Sequence, residues 1–290
     1  MTALGAIFRP QLPPERLRPV VEAAEAAGLE ELWLWEDCFF EGGVTQLTAA
    51  LSWTSRLRVG IGILPVSLRS VAMTAMETAT IERMFPGRMI LGLGHGAQDW
   101  MAQAGVRPAS PITSLREHLT ALRGLLAGET VTTDGRYVTL DQVALAWPPA
   151  TAPQLYVGAT RPRSLRLSGE LADGTVLDAA HPPAAVRRAR ALIDEGRALA
   201  GRDDHHELVV FLNAATGPDA AQRLHRELVA WGLQDVPELG AHGDAAAVAR
   251  GVQALVEAGA DRVILQHTAD EPDLEGFVRF TANEVRPLVP

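Results

Sequence analysis

The chain has no lysine: all 26 of its basic residues are arginine. Chemistry that needs a lysine amine, such as Schiff-base and pyridoxal catalysis, is therefore excluded. So is a Walker-type phosphate loop, whose lysine reaches the nucleotide phosphates. The single cysteine, Cys38, leaves no intrachain disulfide and no multi-cysteine metal or iron–sulfur site. No apolar run approaches the ~20 residues of a membrane span. Met1 to Phe8 is too short for the apolar core of a secretion signal and follows no basic residues. A cytoplasmic protein that makes no membrane contact is expected. The net charge is −9 and the arginines are scattered, so no nucleic-acid partner is expected.

What is present is a repeating unit. Apolar content of 47% is ample for a packed core. Residues 3–8 read as a strand, and a helix from about Pro14 carries Leu17, Val20, Val21 and Ala24 on one face, with Gly28 as its stop. Strands follow at 31–35, 57–64, 88–93, 154–158, 175–178, 207–212 and 262–266. Helices are read at 44–55, 70–84, 114–126, 162–171, 184–200, 219–231 and from Asp244 to Gly259, with a final one ending near Val285. Residues 130–150 break the period. Asp134-Gly135 between β-prone residues signals a hairpin, read as an excursion on the rim. Eight strands alternate with helices and no linker intervenes. One α/β domain over residues 1–290, a single (β/α)8 TIM barrel with a rim hairpin insertion, fits this order. A doubly wound open sheet is the alternative.

In such a barrel the chemistry sits on the loops after the strands. Those positions carry Arg9, Glu36-Asp37-Cys38, Gly62-Ile63-Leu64-Pro65, Gly94-His95-Gly96, Gly158-Ala159-Thr160-Arg161, Asp178 with His181, Asn213, and Gln266-His267. The glycines around His95 would let backbone approach a ligand. Gly158 to Ser164 runs from a strand into a helix with a proline in its first turn, and Arg161 and Arg163 lie there. This suits a phosphate at a helix N-terminus, or is an ordinary capped helix start. No metal site is expected, because His95, His267 and Asp37 lack any ligand spacing. Gly92-x-Gly94-x-x-Ala97 matches a loose dinucleotide fingerprint. Its acid, Glu117, falls inside a helix, where that reading fails.

Asp37 is read as a proton-steering or ligand-contacting carboxylate, or else a loop cap. Cys38 is read as a weak acid on the pocket or a passive buried thiol. His95 is read as a cofactor contact or proton shuttle. Trp33 and Trp35 are read as packing, Trp100 as a pocket wall, and His205-His206 as surface.

Three stretches taken together resemble a known family. These are Val59 to Pro65 with Arg69 and Ala75 to Thr80, Pro86-Gly87-Arg88 to Gly96, and Gly158 to Ser164 with Ala172-Asp173-Gly174. The pattern resembles the luciferase-like monooxygenase superfamily, whose barrels use flavin or the deazaflavin F420. The F420 reductases and dehydrogenases look most similar. The resemblance implies Asp37 and Cys38 near the ring, a cis peptide at Gly62–Ile63 against it, and the phosphate on Thr160–Ser164 with Gly94–Gly96 opposite. Cys38 stands where sugar-phosphate dehydrogenases of that branch carry histidine, and Ala97 where they carry glutamate. Their substrate-phosphate lysines are absent, and Val71 replaces a usual proline. A sugar-phosphate activity is therefore not implied.

The resemblance implies hydride transfer between reduced F420 and a small organic substrate, with a homodimeric protein. The alternatives are an FMN-dependent monooxygenase fed by a separate flavin reductase, or a non-catalytic flavin-binding barrel. Candidate catalytic residues are Asp37, Cys38 and His95. Candidate cofactor residues are Gly62, Ile63, Gly94, His95, Gly96, Gly158, Ala159, Thr160, Arg161, Arg163 and Ser164.

Overall fold

The computed structural model describes residues 2–289. Eleven strands form in chain order. They are β1 (Ala3–Ile7), β2 (Glu31–Leu34), β3 (Arg58–Pro65), β4 (Met89–Gly94), β5 (Val131–Asp134), β6 (Thr139–Val143), β7 (Leu155–Gly158), β8 (Gly174–Leu177), β9 (Glu207–Ala215), β10 (Ala241–His242) and β11 (Arg262–His267). The helices are α1 (Leu17–Ala27), α2 (Gly43–Ser52), α3 (Val71–Met84), α4 (Gln98–Gln103), α5 (Pro111–Leu126), α6 (Pro162–Leu171), α7 (Pro183–Leu199), α8 (Ala220–Ala230), α9 (Ala245–Glu257) and α10 (Leu274–Phe280). Parallel pairing runs β9-β11-β1-β2-β3-β4-β7-β8, and β8 pairs back onto β9. The barrel is thus closed with eight strands, and the open-sheet alternative is set aside.

The barrel interior is filled by large side chains set against glycines. Ile7, Trp33, Ile90, Tyr156, Val176, Val209, Phe211 and Ile264 form the inner cluster. A Cβ on Gly60 would lie 2.5 Å from the Trp33 ring, and one on Gly174 2.4 Å from the Tyr156 ring. Both glycines vacate the space those rings fill. At the N-terminal end, Glu31 accepts hydrogen bonds from Arg58, Arg262 and the Trp33 indole, and Arg262 also pairs with Glu207 at 2.6 Å. This ionic plug closes the barrel end opposite to the site.

The elements stand close to where the sequence puts them, with a few differences. The short α4 and β10 were not expected. The hairpin β5–β6 is antiparallel, but its loop is Gly135–Val138 rather than a two-residue turn. It starts near Gly124 at the C-terminal half of α5 and runs back along that helix, so only its tip reaches the rim. Glu117 on α5 holds the tip by accepting from the amides of Arg136, Tyr137 and Val138. That is the acid of the loose dinucleotide fingerprint. His206 is buried, contrary to the surface reading, and shares a 2.8 Å hydrogen bond with Thr175 Oγ1. Its neighbour His205 is exposed as expected. Among the described residues no helix is long and apolar enough to cross a membrane.

Candidate active site

Side chains alternate across each strand, so every second residue points into the barrel. Continuing that alternation past the inner cluster names the layer at the C-terminal mouth: Trp35, Gly62, Gly158, Asp178, Asn213 and Gln266. All of these line one cavity of about 830 Å³. His95, Gly96, Ala97 and Trp100 close one side, Gly158 to Arg161 with Arg163 and Ser164 another, and Trp231 and Leu233 a third. Of the candidate catalytic and cofactor residues named from the sequence, all but Cys38 and Gly94 line it.

Asp37 lies three residues past the end of β2. Its Oδ2 accepts from the Trp35 indole N–H at 2.8 Å, which leaves Oδ1 without a protein partner. Burial pushes its carboxyl above the usual range, against the Trp35 bond and the charge of Arg9. Trp35 is thereby a site residue rather than mere packing. Its indole is fixed to Asp37 while its ring stacks on Phe211 at 6.3 Å. Glu36 beside it is buried and pairs with Arg69 at 2.7 Å. It also accepts from the Gly43 amide at 2.9 Å, which ties the end of β2 to α2. The Gly62–Ile63 peptide is cis, as the resemblance implied, and so is Cys38–Phe39, which nothing in the sequence announced.

Cys38 is a correction. It is buried off the cavity, and burial with Glu36 and Asp37 beside it pushes its thiol up, so it stays protonated. We retain no catalytic role for it. Gly94 is another correction. A Cβ there would lie 2.9 Å from Ile63 Cγ1, and one on Gly158 2.7 Å from Ile63 Cγ2. Both glycines make room for Ile63, and of the two only Gly158 also lines the cavity. Gly96 alone is needed for its conformation, with φ of +66°.

His95 presents a buried Nε2 with no hydrogen-bond partner, and burial holds its imidazole neutral by lowering its pKa. Gln98, on the first turn of α4, donates to the carbonyls of His95 and Gly96 and so pins this loop. Opposite lies the start of α6. The first intrahelical bond runs from Leu165 N to Arg161 O at 2.9 Å. The amides of Arg163 and Ser164 precede that ladder and have no intrahelical acceptor. Arg116 and Arg166 nearby are paired with Glu170 and Glu195. Arg161 and Arg163 are exposed and have no such partner among the described residues.

On the far wall His181 Nδ1 donates to Asp178 Oδ1 at 2.8 Å. Desolvation by the surrounding wall opposes it, yet this contact holds the carboxyl low and the imidazole high, with Asp178 itself exposed and His181 largely covered. Arg9 and His267 are turned away from the cavity. Arg9 pairs with buried Glu227 at 2.7 Å, and His267 Nδ1 donates to Thr268 O at 2.8 Å. Glu227 also accepts from the Trp231 indole at 2.8 Å and so positions that wall. Ser110 N donates to Tyr137 Oη at 2.6 Å, which braces the wall segment 109–112 with the hairpin tip. Neither this segment nor Trp231 and Leu233 were read from sequence, because they are far from any strand end. Among the described residues no three potential metal ligands converge.

The orphaned His95 Nε2, the open amides of α6 and the two unpaired arginines fit a flat ring ligand carrying an anionic tail. Known proteins are similar to this chain over much of its length. The chain is 32% identical over 202 residues to 5,10-methylenetetrahydromethanopterin reductase of Methanolobus tindarius, covering 69% of this chain and 60% of that protein. It thus spans about three fifths of that relative's length. Among solved structures, an F420-dependent secondary alcohol dehydrogenase bound to an F420–acetone adduct superposes with a TM-score of 0.89 at 21% identity, over 100% of this chain and 99% of that one. The oxygenating constituent of 3,6-diketocamphane monooxygenase from Pseudomonas putida, in complex with FMN, gives 0.81 at 18% identity, over 100% and 99%. At such identities these two structures show a shared fold. The sequence model of the luciferase-like monooxygenases matches residues 3–271, and the chain belongs to that family.

Proposed function

We propose that this protein is an F420-dependent oxidoreductase that transfers hydride between the deazaflavin and a small organic substrate in the cavity. The observation that carries the reading is the pair of unpaired arginines, Arg161 and Arg163, beside the open amides of α6. A phosphate followed by an acidic tail, as F420 has, would meet both, whereas FMN ends at its phosphate. When bound, F420 supplies the carbon that gives or takes hydride. The protein's own residues do the rest. Arg163 N and Ser164 N hold a phosphate through charge-assisted bonds and the helix dipole. His95, kept neutral, offers one hydrogen bond from Nε2. Trp35, stacked on Phe211, keeps water from one wall. Asp37 Oδ1, on a carboxyl whose pKa burial raises, would steer the proton that accompanies hydride transfer.

On this reading the enzyme works in the cytoplasm as a homodimer. The side chains of Met73, Met76 and Met84, exposed along α3, support a covered face, and light scattering tests the mass. The function is tested by mixing the protein with reduced F420 and a panel of enones, ketones and imines. The reading expects return of oxidised F420 absorbance above background with at least one of them. Oxygen incorporation driven by reduced FMN, with no reaction from F420, would establish the monooxygenase alternative instead.

A further inference from the structure

We propose that Asn213 and Gln266 form a polar subsite at the cavity floor, where Gln266 Oε1 accepts a hydrogen bond from a neutral N–H or O–H group of a bound molecule. The two residues are register partners on β9 and β11. Two positions earlier on the same strands, Phe211 and Ile264 fill the barrel interior. A period of two therefore places Asn213 and Gln266 on the same inward face, one layer nearer the mouth. Both line the cavity, and they are only 3% and 7% exposed.

Their amides have one orientation. Asn213 Nδ2 donates to the Ala179 carbonyl at 3.3 Å. A carbonyl can only accept, so the Asn213 nitrogen must face it, and Oδ1 faces the other way. Gln266 Nε2 donates to that Oδ1 at 3.0 Å. The relay ends at Gln266 Oε1, which accepts no hydrogen bond from the described residues and opens on the cavity, while the residue as a whole is largely buried. Facing the cavity, this acceptor meets either water or a ligand, and a ligand that brings a donor replaces the water's hydrogen bond there. Phe211, Val176 and Ala179 on the same cavity are uncharged, Asp37 lines it beyond β1, and Arg9 beside His267 is held by Glu227. Asp178 in the same layer is committed to His181, and Arg161 and Arg163 stand at the rim. A neutral donor is therefore favoured over a cation or an anion. Glutamine exchanges no proton, so this subsite reads and orients a group that does not itself react.

Two sources share that chemistry: the imide N–H of a flavin-like ring, and a non-reacting hydroxyl or amide N–H of the substrate. Two arms separate them. In the first, F420, FMN and N3-methyl-FMN are titrated by ring fluorescence into the parent, Gln266→Met and Asn213→Leu. If the ring is the source, Gln266→Met weakens F420 and FMN about tenfold, N3-methylation weakens the parent as much, and the two losses do not add. In the second, ligand-observed NMR compares cyclohexanol with methoxycyclohexane and acetanilide with N-methylacetanilide, on F420-loaded and on free protein. If the substrate is the source, the parent prefers the donors about tenfold and Gln266→Met abolishes the preference. Either pattern supports the subsite and assigns its source. Gln266→Met leaving both arms unchanged, with a parent-like thermal melt, overturns it. Asn213→Leu, which frees the Gln266 amide to turn, is expected to give part of the same loss. A full loss in Gln266→Met with none in Asn213→Leu overturns the anchored relay. The ring arm rests on the proposed function. A parent that binds neither F420 nor FMN contradicts that function, while the NMR arm on free protein still decides the subsite.

Discussion

Gly158→Ala isolates the steric fit on which the cavity floor depends. Gly158 is not in the left-handed region, so alanine meets no backbone penalty there and the effect is one of space. The new Cβ would lie 2.7 Å from Ile63 Cγ2, where ordinary contact begins at 3.4 Å. Something must therefore move by roughly an ångström, an overpacking that typically costs ~1–3 kcal/mol. Ile63 lines the cavity, so the easy escape is inward, and the variant should also bind the cofactor more weakly. Ile63→Ala removes the clashing atoms. Alone it should cost about 2 kcal/mol, the low end for such truncations, because the side chain is half-exposed to the cavity. In the double variant the clash is gone, so the two losses should fall short of their sum by ~1–3 kcal/mol. Urea denaturation of the four proteins measures this, with cofactor titration alongside. Gly96→Ala is the control. Its cost comes from a φ of +66° and from a Cβ 2.9 Å from Pro65 Cβ, and should not be relieved by Ile63→Ala. Losses that add within ~0.5 kcal/mol for Gly158 and Ile63 would refute the fit.

Asp37→Asn should lower single-turnover hydride transfer by ~10²–10⁴-fold and leave cofactor affinity nearly unchanged; an unchanged rate would make Asp37 structural. If the protonated form is the one required, the parent's rate falls as pH rises through a pKa that lies above that of an ordinary aspartate. His118, His206 and His267 are each held neutral by burial, with pKa lowered to about 4. The unfolded chain protonates them near 6.5. Stability should therefore decline as pH falls from about 6.5 to about 4 and then level off from this cause, as chemical denaturation across pH would show. Arg262→Leu leaves Glu31, which is 1% exposed, with Arg58 as its remaining arginine partner and strips the arginine from Glu207. It should destabilise the fold by ~3–5 kcal/mol and leave cofactor affinity of the folded fraction intact. A loss below ~1 kcal/mol would contradict the ionic plug.

Buried parallel strands are short apolar runs that end in glycine or polar residues, and that pattern made the eight strands legible. Gly28 and Asp244 marked helix ends that the structure keeps, with Gly28 at φ of +73° and Asp244 capping the Ala247 amide. The six-residue α4 was invisible because it follows the glycine loop and shows no periodic face. A glycine says that a side chain is missing but not what fills the space. Gly94 and Gly158 were thus read toward a ligand, when Ile63 takes the room. Trp35 was misassigned by counting it with Trp33. The same alternation, carried one step past the strand, places it on the mouth. Trp231 and Ser110 gave no local sign, since the first is held by Glu227 and the second by Tyr137, both contacts made only in three dimensions.

The central claim is that the cavity holds a deazaflavin with an anionic tail. It is tested most directly by titrating F420, its tail-less deazaflavin core and FMN into the parent and into the double variant Arg161→Ala, Arg163→Ala. We expect F420 to bind more tightly than both the core and FMN. The double variant should erase much of that advantage while binding the core as the parent does. Tighter binding of FMN than of F420, or an advantage for F420 that survives loss of both arginines, would contradict the account.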